Sequence, residues 1–264
     1  HMGISLNYIE KDSKKIFYRK NGDENRNAMI FIHGLAGDSR FFHNQLKYFG
    51  ERFKTIAIDL PGHGRSKIHL NQSLELYSKA ISEIAATENI KDYILIAHSM
   101  GGAVALEHLK EHQERVKAII LVSTAAQLPI EDKIVNEAQE NFEVFFHKTL
   151  SLIFNKKAGL FIIAARKQID EEEKAIIIND LLLCKNSDYR AIVPSIKIPA
   201  LVIANRYDKI IPCEATEHMH RQLQNSKFVV FEQRGHIPFF ENSEEFNRVV
   251  DEFIASLPEK QHSL

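Results

Sequence analysis

A serine, a histidine and an aspartate in this sequence have the types and the spacing that nucleophilic catalysis requires. Ser99 follows an apolar run at residues 93–97 and leads directly into Gly101, Gly102 and an apolar segment with helical periodicity. When a strand turns into a helix at one residue, that side chain projects above the sheet at the helix N-terminus. We therefore predict that Ser99 is a nucleophile. The plainer alternative is a serine that only caps the helix.

A serine hydroxyl is a weak nucleophile, so it needs a base, and the base needs a partner that orients it. Asp208 follows an apolar run at residues 201–204, and His236 follows another at 228–231. Taken alone, Asp208 is typical of a turn residue before a proline, and His236 is one of 13 histidines. Their placement after successive strands, at the edge where sites form in α/β sheets, predicts a triad with Ser99.

The oxyanion that forms when a nucleophile attacks an acyl carbon needs N–H donors that are already in place. Met100, the residue after the nucleophile, can donate its backbone N–H from the helix N-terminus. We expect a second donor from the backbone of Leu35, in the loop that follows an apolar run at 28–32. Gly34 and Gly37 give that loop the backbone freedom it needs.

Apolar runs and segments with helical periodicity alternate along most of the chain. This alternation is typical of a mostly parallel central sheet with helices on both faces, an α/β fold. Strands are predicted at residues 4–9, 15–20, 28–32, 53–60, 93–97, 117–123, 199–204 and 227–231, and helices around 41–49 and at 74–86, 103–112, 214–223 and 244–257.

The alternation pauses between residues 127 and 190, where helical segments follow one another without a strand signal. We predict a helical cap or lid at 127–190, inserted between two parts of the core domain at 1–126 and 191–264. Phenylalanines in the cap suggest an apolar substrate pocket, although packing against the core is the plainer role for each. The predicted pocket residues are His33, Gly34, His98, Phe142, Phe145, Phe146 and Ile237, with Phe154 and Phe161 as further cap phenylalanines.

Charge and composition exclude several classes of protein. With a formal net charge of −1, the chain lacks a field that would attract nucleic acid or an anionic membrane. No apolar stretch has the length of a membrane span and no signal peptide is seen, so we expect a cytoplasmic protein. Cys184 and Cys213 make no disulfide framework, and no histidine has the spacing of a metal ligand. No metal or cofactor is predicted.

As a set, these motifs resemble the α/β-hydrolase family over residues 14–257. The matching pieces are His33-Gly34, the turn from Asp59 to Ser66, the segment around Ser99, Asp208 before Ile211-Pro212, and Gly235-His236. The resemblance implies that Ser99 is the nucleophile, His236 the base and Asp208 its acid, with the turn at 59–66 mainly structural. Ala97 departs from the family's usual Gly-x-Ser-x-Gly. A serine nucleophile argues against the dehalogenase and epoxide-hydrolase branches, and the absence of tryptophan against the haloperoxidase-like branch.

We expect hydrolysis of small to medium carboxylic esters through an acyl-enzyme. The motifs also resemble carbon–carbon bond hydrolases that cleave vinylogous diketones, and a slow-hydrolysing ligand receptor is the non-enzymatic alternative. A thioesterase or carrier-protein methyl-esterase would need a basic patch beside the pocket. The cations of the cap are balanced by nearby acids, which is typical of a solvated face. These charges are Lys148, Lys156, Lys157, Arg166 and Lys167 against Glu171, Glu172, Glu173 and Asp180. The oligomeric state is not predicted.

Overall fold

Eight strands form one sheet in the part of the chain that the structure, a computed structural model, describes: residues 3–66, 71–154, 169–232 and 235–258. They are β1 (Ser5–Lys11), β2 (Lys14–Asn21), β3 (Ala28–Ile32), β4 (Lys54–Ile58), β5 (Tyr93–His98), β6 (Val116–Val122), β7 (Ala200–Asn205) and β8 (Ser226–Phe231). Their order across the sheet is β1-β2-β4-β3-β5-β6-β7-β8. β2 pairs antiparallel with β1 and β4, and the other neighbours are parallel. The predicted fold class is confirmed.

Helices cover both faces of the sheet. They are α1 (His43–Phe49), α2 (Leu74–Thr87), α3 (Met100–His112), α4 (Asp132–Glu140), α5 (Phe142–Ile153), α6 (Glu171–Asn186), α7 (Cys213–Gln222), α8 (Pro238–Glu241) and α9 (Ser243–Ala255). Successive side chains of a strand point to opposite faces. In β3, Ile30 and Ile32 therefore pack in the core cluster that includes α2 and α3, whereas Met29 and Phe31 pack with α1 and α9. Burial on both faces explains the continuous apolar runs of the parallel strands.

Two element boundaries differ from the prediction in an informative way. The helix expected from residue 103 begins at Met100, directly after Ser99. Two glycines at its start weaken the helix signal in the sequence, but they are the residues that the tight turn requires. The strand expected at 53–60 is shorter, Lys54–Ile58, because the chain then enters the turn that begins at Asp59.

The helices α4, α5 and α6 lie between β6 and β7, where the sequence predicts the cap. Side-chain caps begin two of them: Asn141 accepts from the Val144 N–H at 3.3 Å, and Asp170 accepts from the Glu173 N–H at 2.8 Å. No strand occurs among the described residues of this segment. The predicted apolar group at 160–164, Phe161 and four of the cap cations, those at 156, 157, 166 and 167, lie outside the described residues. The division at 126 and 190 stays a prediction.

One expected surface charge of the cap is buried. Asp180 of α6 is 0% exposed and contacts His63, so its assignment to a solvated face is wrong. The reason is that α6 packs this side chain against the core domain, where Asp180 contacts His63 and accepts a hydrogen bond from the Tyr77 hydroxyl.

No helix in the described parts of the chain combines the length and apolar character needed to cross a bilayer.

Candidate active site

Ser99 occupies a strained turn between β5 and α3. Its backbone has φ +53° and ψ −118°, a left-handed conformation that a residue with a side chain adopts only under constraint. The constraint is close packing around the turn. A Cβ on Gly101 would lie 2.5 Å from the Ile32 carbonyl oxygen at the end of β3, and one on Gly102 would overlap Thr124. Both positions therefore admit only glycine without a shift of the surrounding backbone or of Thr124.

The backbone of Ser99 is held on both sides by hydrogen bonds. Its N–H donates to the Val122 carbonyl oxygen at 3.0 Å, which ties the turn to the end of β6. Its carbonyl oxygen accepts from the Thr124 hydroxyl at 2.7 Å and from the Gly102 N–H at 2.8 Å. Sequence reasoning missed Thr124. The available signal was its position just beyond β6, the strand that pairs with β5.

Asp208 and His236 meet at the carboxyl edge of the sheet, beyond β7 and β8. His236 Nδ1 lies 2.8 Å from Asp208 Oδ2, so the ring donates its Nδ1–H to the carboxylate. The other carboxylate oxygen of Asp208 accepts the N–H groups of Ile210 at 2.8 Å and Ile211 at 3.0 Å. These bonds fix the carboxylate, and the carboxylate fixes the imidazole with Nε2 left free to act as a base. Both side chains are buried.

The loop after β3 approaches Ser99 closely. A Cβ on Gly34 would lie 3.0 Å from the Ser99 Cβ and 3.2 Å from the His98 carbonyl oxygen, so only glycine fits there comfortably. This contact brings Leu35 into the same cavity wall as Ser99, Met100 and His236. Leu35 and Met100, whose backbones are the predicted donors of an oxyanion hole, thus line one cavity with Ser99 and come from two different elements.

Two buried histidines support the site without carrying charge. His33 Nε2 accepts from the Leu60 N–H at 3.2 Å, so its Nδ1 carries the proton and donates to the Gly34 carbonyl oxygen at 2.8 Å. Burial lowers the pKa of His33 to about 4 and that of His98 well below its usual value. His98 donates from Nε2 to the His236 carbonyl oxygen at 2.8 Å. This bond fastens the backbone at His236 to the last residue of β5.

A cavity of about 220 Å³ opens at Ser99 and His236, beneath α4, α5 and α6. Its wall is mostly apolar, and burial raises the pKa of the one cysteine in that wall, Cys184, so the thiol stays protonated. Polar side chains also line it, including the Glu137–Lys148 ion pair at 3.6 Å. The apolar lining is Leu35, Met100, Leu128, Pro129, Ile130, Ile134, Phe145, Leu152, Ile153, Leu181, Ile210, Ile211 and Ile237, and the further polar lining is Glu137, Lys148, Thr149 and Lys209.

A second cavity of about 40 Å³ adjoins the first on the side of the loop after β3. His33, Gly34, Phe146 and Phe154 line it, and His98, Phe145 and Ile237 are shared by both cavities. Of the predicted pocket residues, only Phe142 lines neither. It stacks on Phe146 with ring centroids 5.5 Å apart. It therefore packs within the cap, as its plainer interpretation held.

Within the described ranges, no group of three or more histidine, cysteine, aspartate or glutamate side chains is arranged to hold a metal ion. A serine on a strand–helix turn, with an Asp-oriented histidine beside it at the carboxyl edge of a mostly parallel sheet, defines the architecture of an α/β-hydrolase site.

Comparisons with known proteins agree with this architecture. A family model described as alpha/beta hydrolase fold matches residues 27–175, more than half of the chain, and a second, described as TAP-like protein, matches residues 180–262. The chain belongs to the α/β-hydrolase family.

The relatives and structural neighbours of this chain carry the names of several hydrolases. The chain is 28% identical, over 91% of its length and 98% of the relative's, to a pimeloyl-[acyl-carrier protein] methyl ester esterase of Wigglesworthia glossinidia brevipalpis. A solved structure of a thermophilic esterase aligns with a TM-score of 0.84 at 25% identity, covering 96% of this chain and 98% of that one. The enol-lactonase of Burkholderia xenovorans LB400 aligns with a TM-score of 0.85 at 20% identity, covering 95% and 100%, which shows the fold alone.

Proposed function

We propose that this protein is a serine hydrolase that cleaves small to medium carboxylic esters through an acyl-enzyme. The observation that carries the proposal is the Asp208–His236 pair at 2.8 Å, whose histidine lines the same mostly apolar cavity as Ser99. The similarity to proteins named as esterases supports the same reaction class.

In this mechanism Ser99 Oγ attacks the ester carbonyl while His236 Nε2 takes its proton. Asp208 holds the ring by its Nδ1–H and stabilises the imidazolium that forms. The N–H groups of Leu35 and Met100 stabilise the oxyanion, an effect worth about 10²–10³ in rate for each donor. His236 then protonates the leaving alcohol, and a water molecule activated by the same ring releases the acid from Ser99.

The apolar cavity suits an aliphatic or aryl acyl group, since most of its lining residues are apolar and offer mainly dispersion contacts. Cleavage of a thioester or of a carbon–carbon bond would use the same nucleophile, base and oxyanion donors. The bond cleaved is therefore the part of the proposal that most needs an experiment.

The test is a series of initial rates on p-nitrophenyl esters of increasing acyl length. We expect turnover with an optimum at an intermediate length, and a loss of at least about 10³ in kcat for Ser99→Ala. Ser82→Ala is the matched control, because the Ser82 hydroxyl is also shielded from solvent but has no hydrogen-bond partner among the described residues. Full activity in Ser99→Ala would contradict the proposal.

A second candidate substrate is a methyl ester carried on an acyl-carrier protein, favoured by the name of the 28% identical relative. Slow or single turnover on every p-nitrophenyl ester would favour the receptor alternative. Absence of turnover on esters, followed by Ser99-dependent cleavage of a vinylogous diketone, would favour carbon–carbon hydrolysis.

A further inference from the structure

A second pair of buried polar side chains joins the cap to the core away from the triad. His63 lies in the turn after β4, and Asp180 lies on α6, 117 positions later in the chain. His63 Nε2 is 2.6 Å from Asp180 Oδ2. The side chains of both residues are almost completely shielded from solvent, at 3% and 0% exposed. Because both groups are ionisable and buried, their charge states depend on the hydrogen bonds that they make.

Both ring nitrogens of His63 face acceptors. Nε2 faces the carboxylate of Asp180, and Nδ1 lies 3.1 Å from the Pro61 carbonyl oxygen and 3.3 Å from that of Leu60. Neither a carbonyl nor a carboxylate oxygen can donate, so each nitrogen must carry a proton. The contacts are therefore those of an imidazolium. A neutral ring would leave one nitrogen lone pair pointing at an oxygen lone pair.

The neighbouring histidine has the opposite charge state. His33 accepts the Leu60 N–H at Nε2 and donates from Nδ1 to the Gly34 carbonyl oxygen, so it is neutral. The two rings are 5.0 Å apart between centroids. Leu60 connects them, because its carbonyl oxygen faces His63 and its N–H donates to His33.

A continuous chain of contacts thus runs from the cap to the loop beside the nucleophile. It passes from Asp180 to His63, through the backbone of Leu60 to His33, and on to Gly34, whose Cα faces the Ser99 Cβ. We propose that His63, held as an imidazolium by Asp180 of the cap, is a positioning residue that fixes the oxyanion loop through Leu60 and His33. The proposal rests on the function proposed above.

The cap end of this chain is also anchored. Asp180 Oδ1 accepts the Tyr77 hydroxyl at 2.6 Å, so the carboxylate holds α6 to α2 as well as to the turn. Leu181, the next residue of α6, lines the large cavity. The same carboxylate therefore sets one wall of the cavity and, through His63, the loop on its other side.

Within the described ranges, the titratable groups that contact His63 are Asp180 of α6, Tyr77 of α2 and His33 after β3. Cys184 of α6 lies near Asp180 and Tyr77. Burial disfavours the imidazolium, but the attraction and hydrogen bond of Asp180 outweigh it, and the pKa of His63 is raised. Tyr77 and Cys184 stay protonated because their pKa values are raised as well, mainly by burial.

The first test is NMR of the histidine ring nitrogens in the intact protein, which needs no activity. We expect His63 to keep both protons as pH rises above the ordinary histidine pKa of about 6.5, while His33 shows one protonated nitrogen. In Asp180→Asn the His63 imidazolium should be lost at neutral pH. Titration of His63 at or below its ordinary pKa in the unaltered protein would overturn the proposal.

The second test separates positioning from docking of the cap. His63→Gln can still donate an amide N–H to Asp180 but loses the donor toward Pro61. We expect kcat to fall roughly tenfold with KM within about twofold, since a displaced oxyanion donor weakens the transition state rather than substrate binding. His108→Gln, a buried histidine remote from the cavity, is the control for folding and should leave kcat unchanged.

Unchanged kcat in a folded His63→Gln would overturn the proposal, and so would a change confined to KM. Asp132→Asn is the matched control for Asp180→Asn, because it removes an exposed ion pair with Lys185 of the same helix α6. Equal losses of kcat in both variants would mean that helix docking alone matters. If no ester is cleaved, the proposed function fails, and the two histidine charge states alone then decide this inference.

Discussion

At the scale of single residues, identical side-chain types take different charge states because their partners differ. His33 and His63 lie side by side, yet one accepts an N–H and is neutral while the other faces only acceptors and is charged. His236 has the third arrangement, with one nitrogen committed to Asp208 and the other left for proton transfer. Hydrogen-bond partners, rather than residue type, assign these roles.

Thr124 is expected to matter for both stability and activity. Thr124→Val keeps the volume but removes the hydroxyl that donates to the Ser99 carbonyl oxygen. We expect a loss of about 1.5 kcal/mol in the free energy of unfolding, and a fall in kcat/KM of roughly tenfold as the strained turn relaxes. Urea denaturation and ester hydrolysis measure the two effects.

Thr216→Val is the matched control, since the Thr216 hydroxyl is buried but has no hydrogen-bond partner within the described residues. It should be neutral or slightly stabilising and should leave activity unchanged. Equal effects of the two substitutions would show that the bond to Ser99 contributes nothing specific.

At the scale of elements, the approach of α3 to β3 depends on a missing side chain. Gly101→Ala would drive a methyl group against the backbone carbonyls of Ile32 and His33, which cannot rotate away. We expect a destabilisation of about 3 kcal/mol and loss of ester hydrolysis, because overpacking here shifts the nucleophile. Gly3→Ala, whose added carbon would meet nothing within 4 Å, is the control. A Gly101→Ala protein with native stability would contradict the close approach.

The helix α6 is expected to tune substrate length. Leu181 is 4% exposed and lines the large cavity, whereas the adjacent Leu182 does not line it. Leu181→Ala should cost about 2–4 kcal/mol of stability and move the preferred p-nitrophenyl ester toward longer acyl chains. Leu182→Ala should leave the length preference where it is. A preference that is the same in both variants would place the acyl group elsewhere.

Sequence alone predicts those parts of the site that are local in the chain. Ser99 and Asp208 each follow a buried apolar run, and His236 follows the partly buried edge strand β8. Parallel strands bring such positions to one edge of the sheet. The Asp180–His63 contact joins residues 117 positions apart, and no hydrophobic pattern in the sequence predicts it. Nor does the sequence tell which way Phe142 points within the cap, since its helix is apolar on more than one side.

At the scale of the whole molecule, buried neutral histidines predict sensitivity to acid. Burial lowers the pKa of His33 to about 4 and that of His108 to about 3. In the unfolded chain both groups bind protons below about pH 6.5, whereas in the folded chain they do not. Stability should therefore fall as pH drops through this range, by up to about 2 kcal/mol per histidine between pH 7 and 5.

The free energy of unfolding in urea at these two pH values measures the effect, and His108→Gln should remove part of it. His63 has the opposite effect on the pH dependence of stability, because its pKa is raised in the folded protein. Its contribution to the free energy of unfolding is complete below about pH 6.5 and is progressively lost as pH rises through the raised pKa. A free energy of unfolding that stays the same between acid and neutral pH would contradict the neutral state of the buried histidine rings.

The backbone of the base is itself bonded to the cap. The His236 N–H donates to the Ile153 carbonyl oxygen at 3.2 Å, at the last residue of α5. An outward swing of α5 to admit substrate would break this bond, and with it one of the restraints on the general base. The last turn of α5 thus braces the backbone of His236, and the position of this helix and the alignment of the imidazole are coupled.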